Sequence, residues 1–211
     1  MNNQYVQPSR REFLRYAVGV VGALAVQYTS PLEALAKGNK PEREKSHKKE
    51  PTPFQQKVKK MREANYADFG KDSDEVLLAK MLFGEARSCS DLEKVAVAYT
   101  TLNRAEDGIA WNGRTVKEAI LEPFQYECFN LGNINRDKLK APNIYNSKSF
   151  DQCLKVAKDV LSGRYRDPTN GATTYYNPDT VREPERFKKM QKIGRVNTSL
   201  GLSKHVFYKE N

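Results

Sequence analysis

Glu85 is the residue with the clearest potential for acid–base chemistry. It follows Leu78 by seven positions and Met81 by four, so a helix over residues 76–86 places it on the apolar face, near the C-terminal end. Burial and the negative end of the helix dipole both raise the pKa of a carboxyl group. A carboxylic acid that is still protonated near neutral pH can protonate a leaving oxygen, such as that of a glycosidic bond. The alternative is a structural ion pair between Glu85 and Arg87 or Arg104.

Capping patterns predict the helices that must position this acid. Ser90, Thr115 and Ser149 are each followed three residues later by Glu or Gln, which predicts helices over residues 91–105, from Thr115 to Pro123, and up to Leu161. An apolar stripe over residues 54–67 predicts a further helix that docks on the domain edge, whereas residues 172–177 and 205–208 are typical of strands. We therefore expect a single α+β domain, mainly helical and lysozyme-like, with a few short strands.

The N-terminal segment has the pattern of an export signal. Residues 9–15 read S-R-R-E-F-L-R, and the apolar run that follows over residues 16–26 is too short to span a bilayer, which needs ~20 residues. Ala34-Leu35-Ala36 then matches a signal-peptidase site. These features predict a twin-arginine signal peptide over residues 1–36, recognised by the twin-arginine translocation machinery. An N-terminal amphipathic tail or an uncleaved anchor is the alternative.

Composition predicts a basic protein with an anionic partner. The 211-residue chain carries a net charge of +10. Residues 37–71 are predicted to form a charged linker with the possible docking helix, and residues 72–211 the catalytic domain. A wall polymer, a lipid surface or nucleic acid would suit this charge, and export makes nucleic acid the least expected of the three. After cleavage we expect a monomer in the periplasm or cell wall, without a stable membrane anchor.

The cysteines and histidines restrict metal and disulfide chemistry. Of the three cysteines, Cys128 and Cys153 are candidates for a disulfide that would pin the loop around residue 125 to the core, although all three would also fit as small buried residues. The chain has only two histidines, and His47 lies in the linker. A catalytic zinc usually takes three protein ligands rich in histidine. We therefore expect no catalytic metal and no cofactor.

Several short motifs occur in a recognisable order. They are L-A-K-M-L-F-G-E-A-R at 78–87, V-A-V-A at 95–98 with L-N-R at 102–104, Q-Y at 125–126, D-P-T at 167–169 leading to G-A-T-T-Y-Y-N at 171–177, and H-V-F-Y at 205–208. This set resembles the SleB-type cell wall hydrolases, known from spore cortex-lytic enzymes, over residues 76–208. The resemblance implies a lysozyme-like fold, cleavage of peptidoglycan glycan strands, and Glu85 as the catalytic acid.

The chain also departs from the family pattern. Ser88 and Cys89 stand where the family commonly has Gly and an acidic residue, and Tyr126 stands where it often has Phe. Tyr176 replaces a usual His and Phe187 an expected Trp, while Ser203-Lys204 replaces Gly-Asn. These changes concern the details of substrate binding more than the acid.

A single carboxyl group favours one of two cleavage mechanisms. A glycoside hydrolase needs two carboxyl groups ~5–9.5 Å apart, and no second acid lies in a matching motif. A lytic transglycosylase needs only one, which the family resemblance also favours. Glu93, Glu122 and Glu127 stay open as second acids. A muramidase that uses water and a non-catalytic peptidoglycan-binding protein are therefore the alternatives.

Five residues are predicted to line a glycan groove, because tyrosine rings stack on sugars and amides bind N-acetyl groups. They are Gln125, Tyr126, Tyr175, Tyr176 and Asn177. Core packing is the alternative for the adjacent tyrosines, whose rings must in either case point to opposite faces of a strand. Arg87, Asn103, Arg104 and His205 are predicted to support the site. Asn103 and Arg104 would bind substrate or brace the helix beside Glu85, and His205 would be structural.

Overall fold

The computed structural model describes residues 50–210. The predicted signal peptide over residues 1–36 lies outside the described residues, as does the linker up to residue 49. Contacts divide the chain into two units, residues 1–57 and residues 58–211. In the described part of the first unit, the backbone N–H of Gln55 donates to Thr52 Oγ1 at 3.2 Å and caps the start of a helix. No helix between residues 50 and 210 is both long and apolar enough to cross a bilayer.

Helices make up most of the described chain, together with four short 3₁₀ helices. The α-helices are α1 (Pro53–Phe69), α2 (Asp74–Ala86), α3 (Asp91–Glu106), α4 (Val116–Leu121), α5 (Ile134–Lys140) and α6 (Lys148–Leu161). The 3₁₀ helices are Ala110–Asn112, Glu127–Phe129, Pro142–Asn146 and Glu185–Lys189.

Two of the three predicted helix starts are confirmed, with the N-cap half of each capping box formed. Ser90 accepts a hydrogen bond from the backbone N–H of Glu93 at 3.3 Å, and Thr115 accepts one from that of Glu118 at 3.1 Å. The third is wrong, because Ser149 lies inside the first turn of α6 and the N-cap is Ser147. The 3₁₀ helix Pro142–Asn146 runs directly into α6, so the helix begins two residues earlier than the capping pattern indicates.

The strands form a small antiparallel sheet beside the helices. Its order is β1 (Thr174–Tyr176), β5 (Val206–Lys209) and β2 (Gln191–Gly194). A separate hairpin pairs β3 (Asn197–Thr198) with β4 (Gly201–Leu202). The predicted strands near 172–177 and 205–208 are confirmed as β1 and β5, and the predicted class, α+β and mainly helical with a few short strands, is confirmed as well.

α2 is the central helix of the second unit. Leu77, Leu78, Met81 and Leu82 are fully buried, and even Lys80 is enclosed, with its ammonium 2.8 Å from Asp72 Oδ2. A helix that is buried on most of its surface has few positions left for solvent. The last turn of α2 is where this helix reaches the surface, because Phe83 and Glu85 are only partly buried.

The part of α1 that belongs to the second unit corresponds to the predicted docking helix and packs against the domain. The amide of Asn65 donates to the carbonyl of Leu121 at 2.8 Å, and Arg136 reaches Asp68 at 2.8 Å. These contacts tie α1 to α4 and α5. The folded unit thus includes residues that the sequence assigned to the linker.

The predicted bridge between Cys128 and Cys153 is wrong for this structure. Cys89, Cys128 and Cys153 are all free and buried. Cys128 lies against Gly84 on α2. The pKa of Cys153 is influenced instead by Lys94, Asp91 and Cys89, which lie at or near the start of α3. The two thiols therefore have different neighbours on the central helices.

Candidate active site

Glu85 lies in the last turn of α2, where three elements converge on its half-buried carboxyl group. The hydroxyl of Tyr175, from β1, donates to Glu85 Oε2 at 3.5 Å. Cys128, from the 3₁₀ helix Glu127–Phe129, lies close enough for its thiol and backbone N–H to lower the pKa of the same carboxyl group. Three segments that are far apart in sequence thus place donors around one acid.

The environment of Glu85 favours its protonated form. Burial is the largest influence and raises its pKa, the hydrogen bonds from Cys128 oppose this, and the negative charge of Glu127 adds to it. The C-terminal end of α2 acts in the same direction as burial, because the last carbonyl dipoles disfavour a negative charge. The carboxyl group therefore holds its proton to a higher pH than an ordinary glutamate and stays accessible for transferring it.

Tyr175 is fixed by its packing and kept as a hydrogen-bond donor. Its ring packs edge-on against His205, with centroids 4.9 Å apart, and at a tilt against Phe207 at 5.9 Å. Burial first, and then the charge of Glu85, raise the pKa of Tyr175 well above its ordinary value. A phenol in this state remains protonated and donates to the Glu85 carboxyl.

Tyr176 and Asn177 lie away from Glu85. As strand alternation predicts, Tyr176 points to the face opposite Tyr175, where its ring packs against Phe187 at 5.3 Å and Tyr208 at 5.9 Å. The Asn177 side chain accepts a hydrogen bond from the backbone N–H of Asp179 at 2.9 Å and shapes a turn. The core-packing alternative thus describes Tyr176 well.

Tyr126 and Arg104 form a buried pair beneath the site. The Tyr126 hydroxyl is 2.6 Å from Thr101 Oγ1, and the Arg104 guanidinium lies 5.0 Å from the Tyr126 ring centroid. Arg104 Nε donates to the carbonyl of Thr173 at 2.5 Å, next to β1. Within residues 50–210, Arg104 Nη1 has no hydrogen-bond partner. These contacts brace β1 against α3.

Gln125 and Asn103 are also held by protein groups. The Gln125 amide donates to the carbonyl of Trp111 at 3.1 Å. The Asn103 amide donates to Asp167 Oδ2 at 3.0 Å and to the carbonyl of Ala172 at 2.9 Å. Asn103 therefore fixes the turn that leads into β1, so bracing rather than substrate binding accounts for its contacts.

The ion-pair alternative for Glu85 does not occur in the described structure. Arg87 is exposed, with its guanidinium 5.4 Å from the Phe83 ring centroid, and Arg104 bonds to a backbone carbonyl. No ion pair within residues 50–210 includes Glu85. Its carboxyl group therefore has the Tyr175 hydroxyl as a hydrogen-bond donor but no ion-pair partner in that range.

The three candidate second acids differ in how they are held. Glu93 is buried and accepts hydrogen bonds from the backbone N–H and from Nδ1 of His205, at 2.9 and 2.8 Å. Glu122 is paired with Arg62. Glu127 is exposed, directly precedes Cys128, and raises the pKa of Glu85 through its charge. Of the three, Glu127 is the one whose charge acts on the site.

Two features of the site were missed by sequence reasoning. The contact of Cys128 with Glu85 was not predicted, although the glycine before the acid was a signal that another chain segment approaches there. The Glu93–His205 contact joins residues 112 positions apart, and no spacing rule points to it.

A separate groove lies on another face of α2. It has a volume of about 580 Å³ and is lined by Phe83, Arg87, Ile134, Asp137, Lys138, Ala141, Asn143, Ile144 and Ser147. Phe83 lies two positions before Glu85 and Arg87 two positions after it. Two positions correspond to about half a turn of helix, so both side chains point away from Glu85. None of the five residues predicted to bind a glycan lines this groove.

Sequence comparisons relate this chain to enzymes of the bacterial cell wall. The model of the Cell Wall Hydrolase family matches residues 89–208, so Glu85 lies four residues before the matched segment. The spore cortex-lytic enzyme of Halalkalibacterium halodurans is 30% identical over 136 residues, and that of Bacillus cereus 32% identical over 139 residues. These alignments cover 64% and 65% of this chain but only 34% and 44% of the relatives.

Two solved structures share similarity with the chain. The catalytic domain of the germination-specific lytic transglycosylase SleB from Bacillus anthracis has a TM-score of 0.49 and 25% identity, covering 67% of this chain and 98% of that one. The catalytic domain of Bacillus cereus SleB has a TM-score of 0.48 and 28% identity, covering 64% and 89%.

Proposed function

Because this chain belongs to the Cell Wall Hydrolase family, we propose that it cleaves the glycan strands of peptidoglycan, with Glu85 as general acid and base. The observation that carries the proposal is the setting of Glu85. Its pKa is raised by burial, the Tyr175 hydroxyl donates to its carboxyl group, and Cys128 acts on the pKa of the same group. The relatives named spore cortex-lytic enzymes support a wall substrate.

The reaction that suits one positioned carboxyl group is lytic transglycosylation. Protonated Glu85 gives its proton to the glycosidic oxygen between N-acetylmuramic acid and N-acetylglucosamine, and the bond from C1 to that oxygen breaks. The 6-hydroxyl of the muramic acid then attacks C1, and the Glu85 carboxylate takes the hydroxyl proton. The products are a new N-acetylglucosamine hydroxyl and a 1,6-anhydro end, and Glu85 is again protonated.

The donors around Glu85 suit both halves of this cycle. After the first proton transfer the carboxylate is negatively charged, and the Tyr175 hydroxyl with the Cys128 N–H and thiol stabilises it by hydrogen bonds. Before the transfer, burial keeps the acid protonated. The carboxyl group can therefore exchange a proton in both directions without an enzyme nucleophile.

A muramidase is the second candidate, and Glu127 is the observation that favours it. Its charge acts on Glu85, and an inverting hydrolase would use such a second carboxylate to activate water. Glu127→Gln separates the two mechanisms. Under transglycosylation it lowers the pKa of Glu85 and moves the pH profile while cleavage persists, whereas under hydrolysis it removes the general base and abolishes cleavage.

Clearing of purified sacculi tests the role of Glu85. We expect Glu85→Gln to lose at least ~10²-fold in rate, because the amide cannot donate an acid proton. Glu122→Gln is the matched control, since the Glu122 carboxylate is paired with Arg62 and is not among the main influences on the pKa of Glu85. A Glu85→Gln protein that clears sacculi as fast as the control would refute the assignment.

We further propose that the twin-arginine route exports the protein to the periplasm or cell wall, where it acts on peptidoglycan as a monomer. The S-R-R-E-F-L-R segment at residues 9–15 and the Ala36 cleavage site support this export. Replacing Arg10 and Arg11 together by Lys is expected to leave uncleaved precursor in the cytoplasm. Normal processing of that variant at the Ala36–Lys37 bond would mean that a different route is used.

A further inference from the structure

Cys89, Glu93 and His205 form a compact cluster of metal-ligating groups next to the candidate active site. One ligand atom from each lies within 4.8 Å of the other two, and all three residues are buried. Cys89 and Glu93 flank the start of α3, while His205 immediately precedes β5. The cluster therefore joins segments that are more than a hundred residues apart.

We propose that Cys89, Glu93 and His205 bind one divalent cation of the zinc class, which fastens the entrance of β5 to the junction of α2 and α3. Thiolate, imidazole and carboxylate are the ligands that zinc takes in proteins, at ~2.0–2.3 Å. Ligand atoms around a tetrahedral ion of that size lie ~3.3–3.8 Å apart. The Sγ atom must move inward by roughly 1 Å and the Glu93 and His205 atoms must separate slightly, which side-chain rotations supply.

The charges of the three ligands match a divalent ion. A Cys89 thiolate and a Glu93 carboxylate carry two negative charges, and His205 binds as the neutral ring, so the occupied site is neutral. Neutrality matters here because an uncompensated charge in the core is costly. Without the ion, Glu93 accepts hydrogen bonds from His205 Nδ1 at 2.8 Å and from its backbone N–H at 2.9 Å.

Binding has a defined proton balance. The Cys89 thiol releases one proton to solvent as its sulfur coordinates the ion. The proton on His205 Nδ1 moves to Nε2, so the ring stays neutral while Nδ1 becomes a ligand. The backbone N–H of His205 continues to donate to Glu93, which keeps the carboxylate oriented.

With three protein ligands, the ion would hold water in the fourth position and would act on the site by fastening His205. His205 packs edge-on against Tyr175, whose hydroxyl donates to Glu85. A clamp on His205 therefore restricts the position of the Tyr175 ring. This role needs only one histidine. It is therefore compatible with a chain that has two histidines, which is too few for a zinc site rich in histidine.

Cobalt titration of the purified chain tests the proposal without an activity assay. Chelator-treated protein is titrated with Co²⁺, and a thiolate-to-cobalt charge-transfer band is expected to saturate at one ion per chain. Cys89→Ser and His205→Gln are expected to bind at least ~100-fold more weakly, since even outer-shell partners are worth 10–100-fold. Cys153→Ala is the matched control, because Cys153 is also buried but is not part of the cluster, and it should titrate like the parent.

Thermal melting checks that the variants fold and gives a second readout. All four proteins are melted in chelator, and then with one equivalent of Zn²⁺. The parent and Cys153→Ala should gain several degrees with zinc, whereas Cys89→Ser and His205→Gln should not. The proposal is overturned if the parent shows no charge-transfer band. It is also overturned if Cys89→Ser gives the same band and the same zinc-dependent stabilisation as the parent. In either case the three side chains form hydrogen bonds with one another and do not bind a metal.

Discussion

A Cβ atom at position 84 would lie 2.6 Å from Cys128 Sγ and 2.7 Å from Cys128 Cβ, so Gly84 and Cys128 fit together only because residue 84 has no side chain. This approach seats the 3₁₀ helix Glu127–Phe129 on the last turn of α2. It also presents the Cys128 donors to Glu85. The glycine before the acid is thus a packing requirement of the site.

Gly84→Ala is therefore expected to lower both stability and activity. Alanine favours a helix over glycine by ~1 kcal/mol, but a methyl group forced into a filled core costs ~1–3 kcal/mol. The second effect should win, because Cys128 is short and cannot swing away. Circular dichroism melting and sacculus clearing measure the two losses. In the Gly84→Ala/Cys128→Gly double variant the losses should be less than additive; additive losses would contradict a tight contact.

Tyr175→Phe is expected to lower activity more than stability. The change removes the donor 3.5 Å from Glu85 Oε2 but keeps the ring that packs on His205 and Phe207. We expect a loss of roughly 10-fold in clearing rate, which corresponds to ~1.4 kcal/mol.

Tyr208→Phe is the matched control for that experiment. Tyr208 lies on β5, and its hydroxyl donates to Glu183 Oε1 at 2.6 Å. Its loss should cost ~1 kcal/mol of stability and leave the rate per folded molecule unchanged. If the two variants lose activity equally, the Tyr175 hydroxyl has no specific role.

The pH dependence of activity and stability should both report Glu85. Its pKa is raised by burial, so activity is expected to decline as the pH rises through that pKa. For stability, a carboxyl whose folded pKa exceeds its unfolded value of ~4.3 contributes fully below the unfolded pKa, and this contribution is lost as the pH rises through the folded pKa. Glu85→Gln removes this loss and should melt at or above the parent temperature at neutral pH. A Gln variant that melts several degrees lower would instead identify Glu85 as a structural residue.

The fully reduced state of the cysteines can be checked directly. Since Cys89, Cys128 and Cys153 are free and buried, native protein should react slowly with a thiol reagent, and protein denatured without reductant should alkylate at all three positions. Mass spectrometry of the alkylated chain counts them. A single reactive thiol would show that two cysteines are joined by a disulfide after all.

The helices were predictable because their signals are local. Apolar periodicity and N-cap side chains specify α3 and α4 almost to the residue, and apolar periodicity places α2 to within two residues at its start. α5 was missed, since its seven residues carry only two apolar positions, and β2 to β4 are too short to show alternation. The start of α6 was misplaced because the preceding 3₁₀ helix, a tertiary feature, decides where the chain turns.

The position of Glu85 was predictable, but its surroundings were not. The position of Glu85 on the apolar face and at the helix end follows from spacing alone. Its contacts with Tyr175 and Cys128, and the one between Glu93 and His205, depend on how segments up to 112 residues apart pack together. Sequence reasoning could place Tyr175 and Tyr176 on opposite faces of a strand, yet only the packing shows which one faces the acid.

Mass spectrometry of the glycan fragments released from purified sacculi, in water enriched in heavy oxygen, tests the central claim most directly. Glu85 acting alone as acid and base predicts fragments that end in 1,6-anhydro-N-acetylmuramic acid, each lighter by one water than a hydrolysed fragment and free of heavy oxygen. Fragments with reducing N-acetylmuramic acid ends that carry heavy oxygen would contradict it, because water would then be the nucleophile and a second carboxylate would be required.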